Sequence, residues 1–356
     1  MRLAHAWRVR DDEWIALVFA IAAFVVSGIV AAIVFGGREH PIDGRGSVGD
    51  VAAVSGAVAA AVSFTASRLR GGTVSRSSDA ARGVVRFHWF DVAALAVAHG
   101  AIALLGWIGV ATVMEKSFVG ATVYATPGVV LVAAATALSA YAAFLSGGTM
   151  SPRQLSLVLA VFLVIGMLTA MLTSADPYWW QMNLSALGIT DDVSALTFNA
   201  TLIVSGVIVT TIARFGTAGL PADTVSERRR RDAVRTLFVL LGALLACVGV
   251  FPVDRFFLLH NTVATGMAVM FAVLVVGLPW FAPRMPRVFM VLGFVFVAAI
   301  IGLAILFAVG AYNLTAVELV ASVLIFSWII LFLRNVEVGV SHDDRPAAPA
   351  VLEAAR

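Results

Sequence analysis

Four polar side chains stand in a short break between two long apolar runs of this sequence. The stretch VGVFPVDRFFLLHNTVATG, residues 248–266, places Asp254, Arg255, His260 and Asn261 there. A carboxylate, a guanidinium, an imidazole and an amide can together hold a polar ligand or exchange a proton. This break is therefore the first candidate for a functional site, as one wall of an outward-facing polar pocket.

Other polar residues are predicted at a similar depth on distant segments. Asn199 and Glu318 lie about 6 Å and about 9 Å inside the starts of their predicted helices, at a rise of roughly 1.5 Å per residue. Together with His260, they would bring an amide, a carboxylate and an imidazole into one layer. The candidate ligand-binding residues are Glu318, His260, Asn261, Asn199, Asp254, Asn183, Ser185 and Trp180.

Structural roles explain several of these residues equally well. A carboxylate such as Glu318 is costly in lipid, so it should face protein, where His260 or Arg255 could be its partner. His260 and Asn261 can cap or cross-link the start of a helix. Asn199 can bond a neighbouring helix instead of a ligand.

Structural roles can also explain two further sets of residues. Asp191 and Asp192 precede a predicted helix, where capping is a more ordinary role than cation binding, and tandem tryptophans such as Trp180 are typical interfacial anchors. Asp91 and His99 lie eight residues apart on one predicted helix, about 12 Å along its axis. A proton relay between them would need intervening water, whereas a hydrogen-bonded structural His99 needs none.

The composition indicates an integral membrane protein. Of 356 residues, 61% are hydrophobic and 13% charged, and the mean hydropathy is +0.97, against about 45–50% and about 25% in soluble chains. Lys116 is the single lysine, so the basic residues are clustered arginines, and nucleic-acid binding is not expected. Cys247 is the single cysteine, which excludes an intramolecular disulfide.

Ten apolar runs have the length of about 20 residues that a membrane-spanning helix needs. Lipid offers the backbone no hydrogen-bond partner, so each run must be helical, and the predicted fold is all-α. The runs cover approximately residues 14–35, 49–67, 90–113, 127–147, 153–173, 195–217, 234–253, 257–281, 287–310 and 312–334.

The distribution of arginine predicts the orientation. With ten spans and a cytoplasmic N-terminus, the cytoplasmic side holds 20 of the 24 basic residues, and the other side holds Arg38, Arg45, Lys116 and Arg255. Both termini are therefore expected in the cytoplasm. The arginine loops can also bind anionic lipid headgroups, and the polar tail 336–356 is expected to be disordered.

A family resemblance covers the second half of the chain. The segment from Ala175 to Phe215 contains N-x-S-x-L-G in its loop and opens its helix with F-N, and F-P and H-N-x-x-A follow at residues 251–264. This pattern resembles domain of unknown function 998, a family of prokaryotic multi-pass proteins, over roughly Ser151 to Arg334. The layout is also similar to Frag/DRAM/Sfk-type proteins, which are associated with lipid handling. The resemblance implies a four-helix region at 1–150 and a six-helix domain at 151–335, and no catalytic residue.

Three classes of function remain open. An outward-facing polar pocket with apolar walls favours binding of a lipid or amphiphile by a protein of the bacterial cell membrane. A secondary transporter is the alternative, although no proline lies at the centre of a span and no repeat between the two halves is evident. A lipid-modifying enzyme is less favoured, because no familiar nucleophile motif or histidine-rich metal site is present. No cofactor is predicted, and the oligomeric state is left open.

Overall fold

A computed structural model of the chain describes residues 2–74, 89–148, 151–189, 191–218 and 220–343. Within these ranges, ten helices are long and apolar enough to cross a membrane, which confirms the predicted all-α fold with ten spans. The helices are α1 (Arg2–Phe35), α2 (Val48–Val74), α3 (Trp89–Ser117), α4 (Ala125–Gly148), α5 (Pro152–Thr173), α6 (Val193–Gly216), α7 (Val225–Val250), α8 (Phe257–Phe281), α9 (Arg287–Ala308) and α10 (Leu314–Asp343).

Several helices extend beyond their predicted limits, among them α7 and α10. We expected the seventh apolar run to begin near residue 234, but α7 begins at Val225. The Thr224 hydroxyl accepts a hydrogen bond from the Glu227 backbone N–H, and the Glu227 carboxylate accepts one from the Thr224 backbone N–H. This capping box begins the helix before the charged run at 228–231, and arginine is itself a good helix former. Similarly, α10 continues to Asp343, into the segment predicted to be disordered, and residues 344–356 lie outside the described part.

Contacts between loops show that successive helices alternate in direction. Strand β1 (His40–Pro41), between α1 and α2, pairs antiparallel with β2 (Thr122–Val123), between α3 and α4. At the same end, the Asn313 side chain before α10 donates to the carbonyl of Trp180 before α6. We call this end the arginine-poor side and the opposite end the arginine-rich side.

The helices pack around one large apolar core and a smaller one. The large core belongs mainly to α3 and α5–α10, and its centre is Trp328 of α10, whose ring contacts Phe271, Phe289 and Phe332. The smaller core joins α1, α2 and α4. Helix α3 packs against α2 on one side and against α5 and α6 on the other, so it connects the two groups of helices.

Candidate functional site

The loop between α5 and α6 folds back onto the arginine-poor ends of the helices. It contains a 3₁₀ turn at Trp179–Gln181 and a 3₁₀ helix at Leu184–Gly188. Leu184, Ala186 and Leu187 are buried. The loop is therefore an integral part of the packed structure, and we call Leu184–Gly188 the loop helix.

Three side chains from separate spans hold the loop helix. The carboxylate of Glu318 on α10 accepts a hydrogen bond from the Leu184 backbone N–H at 2.6 Å. His260 on α8 contacts the Ser185 hydroxyl at 3.0 Å, and Asn199 on α6 donates to the Gly188 carbonyl at 3.1 Å. The structure thus brings together residues predicted to share one layer, with the loop helix at their centre.

The hydrogen bonds of His260 define its tautomer. Nδ1 lies 2.7 Å from the Phe251 carbonyl, which can only accept, so Nδ1 carries the proton. In a neutral ring with this tautomer, Nε2 accepts from the Ser185 hydroxyl. A serine beside an imidazole base is also the arrangement of an activated nucleophile. Here, however, His260 is 4% exposed, and this pair fastens the loop to α8.

One expected pairing is wrong. We expected Glu318 to pair with His260 or Arg255, but the hydrogen bond of its carboxylate goes to the Leu184 backbone. The start of the loop helix supplies an N–H without a helical acceptor, and the loop lies between α8 and α10. Arg255 instead lies 3.6 Å from Asp191 and 3.7 Å from Asp254.

The remaining predicted residues occupy more peripheral positions. Asn261 is exposed, because one helical step turns it away from the buried face of His260. Asn183 is half-buried, and within the described structure its buried Oδ1 has no hydrogen-bond partner. The Trp180 side chain is exposed, whereas its carbonyl accepts from Asn313.

The open space lies beside the loop helix. We predicted a pocket between the sixth, eighth and tenth spans, but the loop itself fills that position. A cavity of about 600 Å³ lies instead between the start of α6, the turn before α8 and the α1–α2 loop. We call it the loop cleft, and its polar lining consists of Arg45, Asp191, Asp192, Asn199, Asp254 and Arg255.

Two of these lining residues have further roles. Asp192 accepts a hydrogen bond from the Ala195 backbone at 3.0 Å, which is the helix-capping role expected for this position. Arg45 was missed as a site residue. It is 146 positions from Asp191 in the sequence, and no local pattern distinguishes it from the other basic residues of this side.

The proposed relay pair has separate partners. Asp91 is buried and forms an ion pair with Arg214 of α6 at 3.1 Å. His99 Nδ1 lies 2.7 Å from the Leu95 carbonyl, and Nε2 lies 2.8 Å from the Ser146 hydroxyl. These contacts favour the structural interpretation of His99 over a proton relay with Asp91.

No cluster suited to a metal ion occurs among the described residues, where no three His, Cys, Asp or Glu side chains converge. Cys247 is a free, half-buried thiol on α7.

Comparison with known families gives one match. The model described as "Protein of unknown function (DUF998)" matches residues 157–335, half of the chain and nearly all of α5–α10. The motif residues around Asn183, Asn199 and His260 lie within it. No curated protein and no solved structure matches the chain, and similarity to Frag/DRAM/Sfk-type proteins stays a prediction.

Proposed function

Because the chain belongs to the DUF998 family, whose description assigns no activity, we propose a function from the geometry of the loop cleft. The protein is an integral multi-pass membrane protein that binds the zwitterionic headgroup of a membrane amphiphile in this cleft. An amine-bearing phospholipid such as phosphatidylethanolamine has the required chemistry.

The observation that carries the proposal is the mixture of charges around one open space. Asp191, Asp192 and Asp254 supply carboxylates for an ammonium group, and Arg45 and Arg255 supply guanidinium groups for a phosphate. The two ion pairs of Arg255 are 3.6 and 3.7 Å long, and its side chain is 65% exposed. Such exposed ion pairs are weak, so a ligand can replace one partner of a pair at little cost in free energy.

Apolar surface adjoins the charged cleft. Val193 and Leu196, both on the first turn of α6, line the cleft and are 48% and 74% exposed. A headgroup in the cleft would therefore leave its acyl chains against this apolar face of α6. A volume of about 600 Å³ is also within the range of roughly 300–1,000 Å³ usual for small-molecule sites.

The buried hydrogen bonds around the loop helix position one wall of the cleft. Gly188 and Ile189 belong to that wall, and Asn199 bonds the Gly188 carbonyl directly. Glu318 and His260 hold the preceding residues of the same loop helix. In this proposal they are positioning residues, and the cleft's charged side chains contact the ligand.

Native mass spectrometry of the full chain tests the proposal. Protein from nanodiscs of equal phosphatidylethanolamine and phosphatidylglycerol is delipidated stepwise, and retained lipids are counted. We expect preferential retention of phosphatidylethanolamine and a loss of roughly three- to tenfold in the double variant Asp191→Asn, Asp254→Asn, since each ion pair contributes little.

The matched control is Asp232→Asn, which removes one exposed carboxylate on the arginine-rich side. We expect it to retain phosphatidylethanolamine as the wild type does. Equal retention in the double variant and the control overturns the proposal, as does equal retention of the two lipids by the wild type.

We also propose that the arginine-rich side faces the cytoplasm of a bacterial plasma membrane, where its loops contact anionic headgroups. The support is the unequal distribution of basic residues between the two sides. In a Cys247→Ser background, a membrane-impermeant maleimide should label Ala121→Cys in intact cells. Ser226→Cys, exposed on the opposite side, should be labelled only after permeabilisation, and the reverse pattern contradicts this orientation.

A further inference from the structure

A second cavity lies within the membrane-spanning region, between α3, α4 and α5. Its volume is about 760 Å³. We call it the α3 groove, because α3 forms its floor while α4 and α5 form its walls. Leu138 of α4 and Leu157 and Leu168 of α5 stand at its rim and are 59%, 55% and 53% exposed.

The polar side chains that line the α3 groove are bonded to the protein. His99 bonds the Leu95 carbonyl and Ser146. The indole N–H of Trp107 donates to Ser139 at 2.9 Å, and Thr169 donates to the Leu105 carbonyl at 2.9 Å. A polar solute in the groove would find these groups already occupied and would lose its own hydration, so hydrocarbon is the favoured occupant.

The groove is long in the direction of the spans. On α3 its lining extends from His99 to Met114, which corresponds to about 22 Å at roughly 1.5 Å per residue. One leaflet accounts for only about half of a hydrocarbon core that is about 30 Å thick. Because the groove is longer than one leaflet is thick, an extended acyl chain can lie within it over the full length of the chain.

Basic side chains mark the arginine-rich end of the groove. Arg68 of α2 donates to the Gly147 carbonyl at 3.0 Å, next to the lining residue Ser146. Arg153 of α5 is exposed and lies four residues before the rim residue Leu157, hence on the same face of the helix. Among the described residues, two acids of α1 also lie near this end: Asp12 is close to Gly148, and Glu13 accepts from the Tyr141 hydroxyl. Arg153 is exposed on the same side of α5 as the groove rim, so its guanidinium group can meet a lipid headgroup at this end.

We propose that the α3 groove binds one acyl chain of an anionic phospholipid, whose phosphate lies beside Arg153. The groove supplies the apolar contact, and Arg153 supplies the selectivity for an anionic headgroup. The headgroup end of this site is on the opposite side of the protein from the loop cleft, and the site does not depend on the function proposed there.

A pair of glycine variants tests occupation of the groove. Gly106 lines the groove, and the nearest atoms to an added Cβ belong to Ile165 at 3.9 Å. Gly106→Leu should therefore fill the space with little strain. Gly302→Leu is the matched control, because nothing lies within 4 Å of an added Cβ on α9.

The full chain, purified from phosphatidylglycerol-containing nanodiscs, is analysed by native mass spectrometry. We expect Gly106→Leu to lose one tightly retained phosphatidylglycerol that the wild type and Gly302→Leu keep. Arg153→Gln should reduce the preference for phosphatidylglycerol over phosphatidylethanolamine by several-fold. Identical retention in the two glycine variants overturns the groove site, and an unchanged preference in Arg153→Gln overturns the headgroup assignment.

A second measurement does not depend on the leucine variants folding. Phosphatidylglycerol with brominated acyl chains quenches nearby tryptophan fluorescence, and Trp107 lines the groove. The quenched fraction should be larger in the wild type than in Trp107→Phe. Equal fractions in the two proteins contradict the presence of a chain in the groove.

Discussion

Glu318 shows how a polar side chain near the membrane boundary can hold a folded loop in place. Its carboxylate meets a backbone N–H at the start of the loop helix, which has no acceptor within that helix. His260 and Asn199 likewise bond groups of the loop. These side chains therefore act first as cross-links between spans and a folded loop.

Removing the Glu318 carboxylate should release the start of the loop helix. Leu184 is 5% exposed, so Glu318→Ala leaves its buried N–H without an acceptor, at a cost of about 1.5–3 kcal/mol. Hydrogen exchange of the Leu184 amide should accelerate accordingly. Glu318→Gln retains an acceptor oxygen and should exchange more slowly than Glu318→Ala. An unchanged Leu184 rate in Glu318→Ala contradicts the assignment.

His260 should be important for stability, while its neighbour Asn261 should not. His260→Ala removes two buried hydrogen bonds, to Phe251 and Ser185, and we expect a loss of about 1–3 kcal/mol in the free energy of unfolding. Asn261 is exposed, so Asn261→Ala should change the free energy of unfolding by less than about 0.5 kcal/mol. Reversible unfolding in mixed micelles measures both, and equal effects would show that His260 contributes no more than a surface side chain.

Small residues allow neighbouring helices to come into close contact. Gly206 of α6 and Gly242 of α7 face each other, so that a Cβ added at Gly242 would lie 2.6 Å from the Gly206 carbonyl. Backbones approach closely only where both side chains are absent. This crossing fixes α6, which carries Asn199 and the wall of the loop cleft, against α7.

A methyl group at this crossing should separate the two helices. Gly206→Ala would place its Cβ 2.7 Å from the Ala246 nitrogen, and we expect overpacking to cost about 1–3 kcal/mol. Gly302→Ala on α9 has no atom within 4 Å and should be neutral or stabilising, since alanine has the higher helix propensity. Thermal unfolding in detergent compares them, and equal midpoints contradict the tight crossing.

In the molecule as a whole, α3 connects the other helices of the first 150 residues with α5–α10. It packs on α2, α5 and α6, and the ion pair of Asp91 with Arg214 lies at its arginine-rich end. The described helices run without a break at their centres. The described architecture is thus a continuous helical scaffold, with the loop cleft at one end of the spans and the α3 groove running along α3, α4 and α5.

The Asp91–Arg214 pair should stabilise the contact between α3 and α6. The Asp91 side chain is 2% exposed and that of Arg214 is 44% exposed. Arg214→Gln removes the cationic partner of a buried carboxylate, and about 1–3 kcal/mol of unfolding free energy should be lost. Adding Asp91→Asn should recover part of this loss. A double-mutant cycle with no coupling energy contradicts a stabilising role for the pair.

The sequence by itself determined the number of spans, the alternation of their direction and the depth of the polar residues. These properties follow from the length of each apolar run and from counting spans, and both are local features of the chain. It therefore placed Asn199, His260 and Glu318 in one layer correctly. It also indicated the family, whose model matches residues 157–335.

Only the tertiary structure decided which groups meet within that layer. The loop before α6 folds inward and supplies Leu184 and Ser185 as partners, so Glu318 does not pair with His260 or Arg255. The same packing places Arg45 and Asp191 around one cavity and leaves this open cleft beside the loop helix. Such partnerships join residues that are far apart in the sequence, and they depend on how helices and loops pack together, which no local pattern of residues encodes.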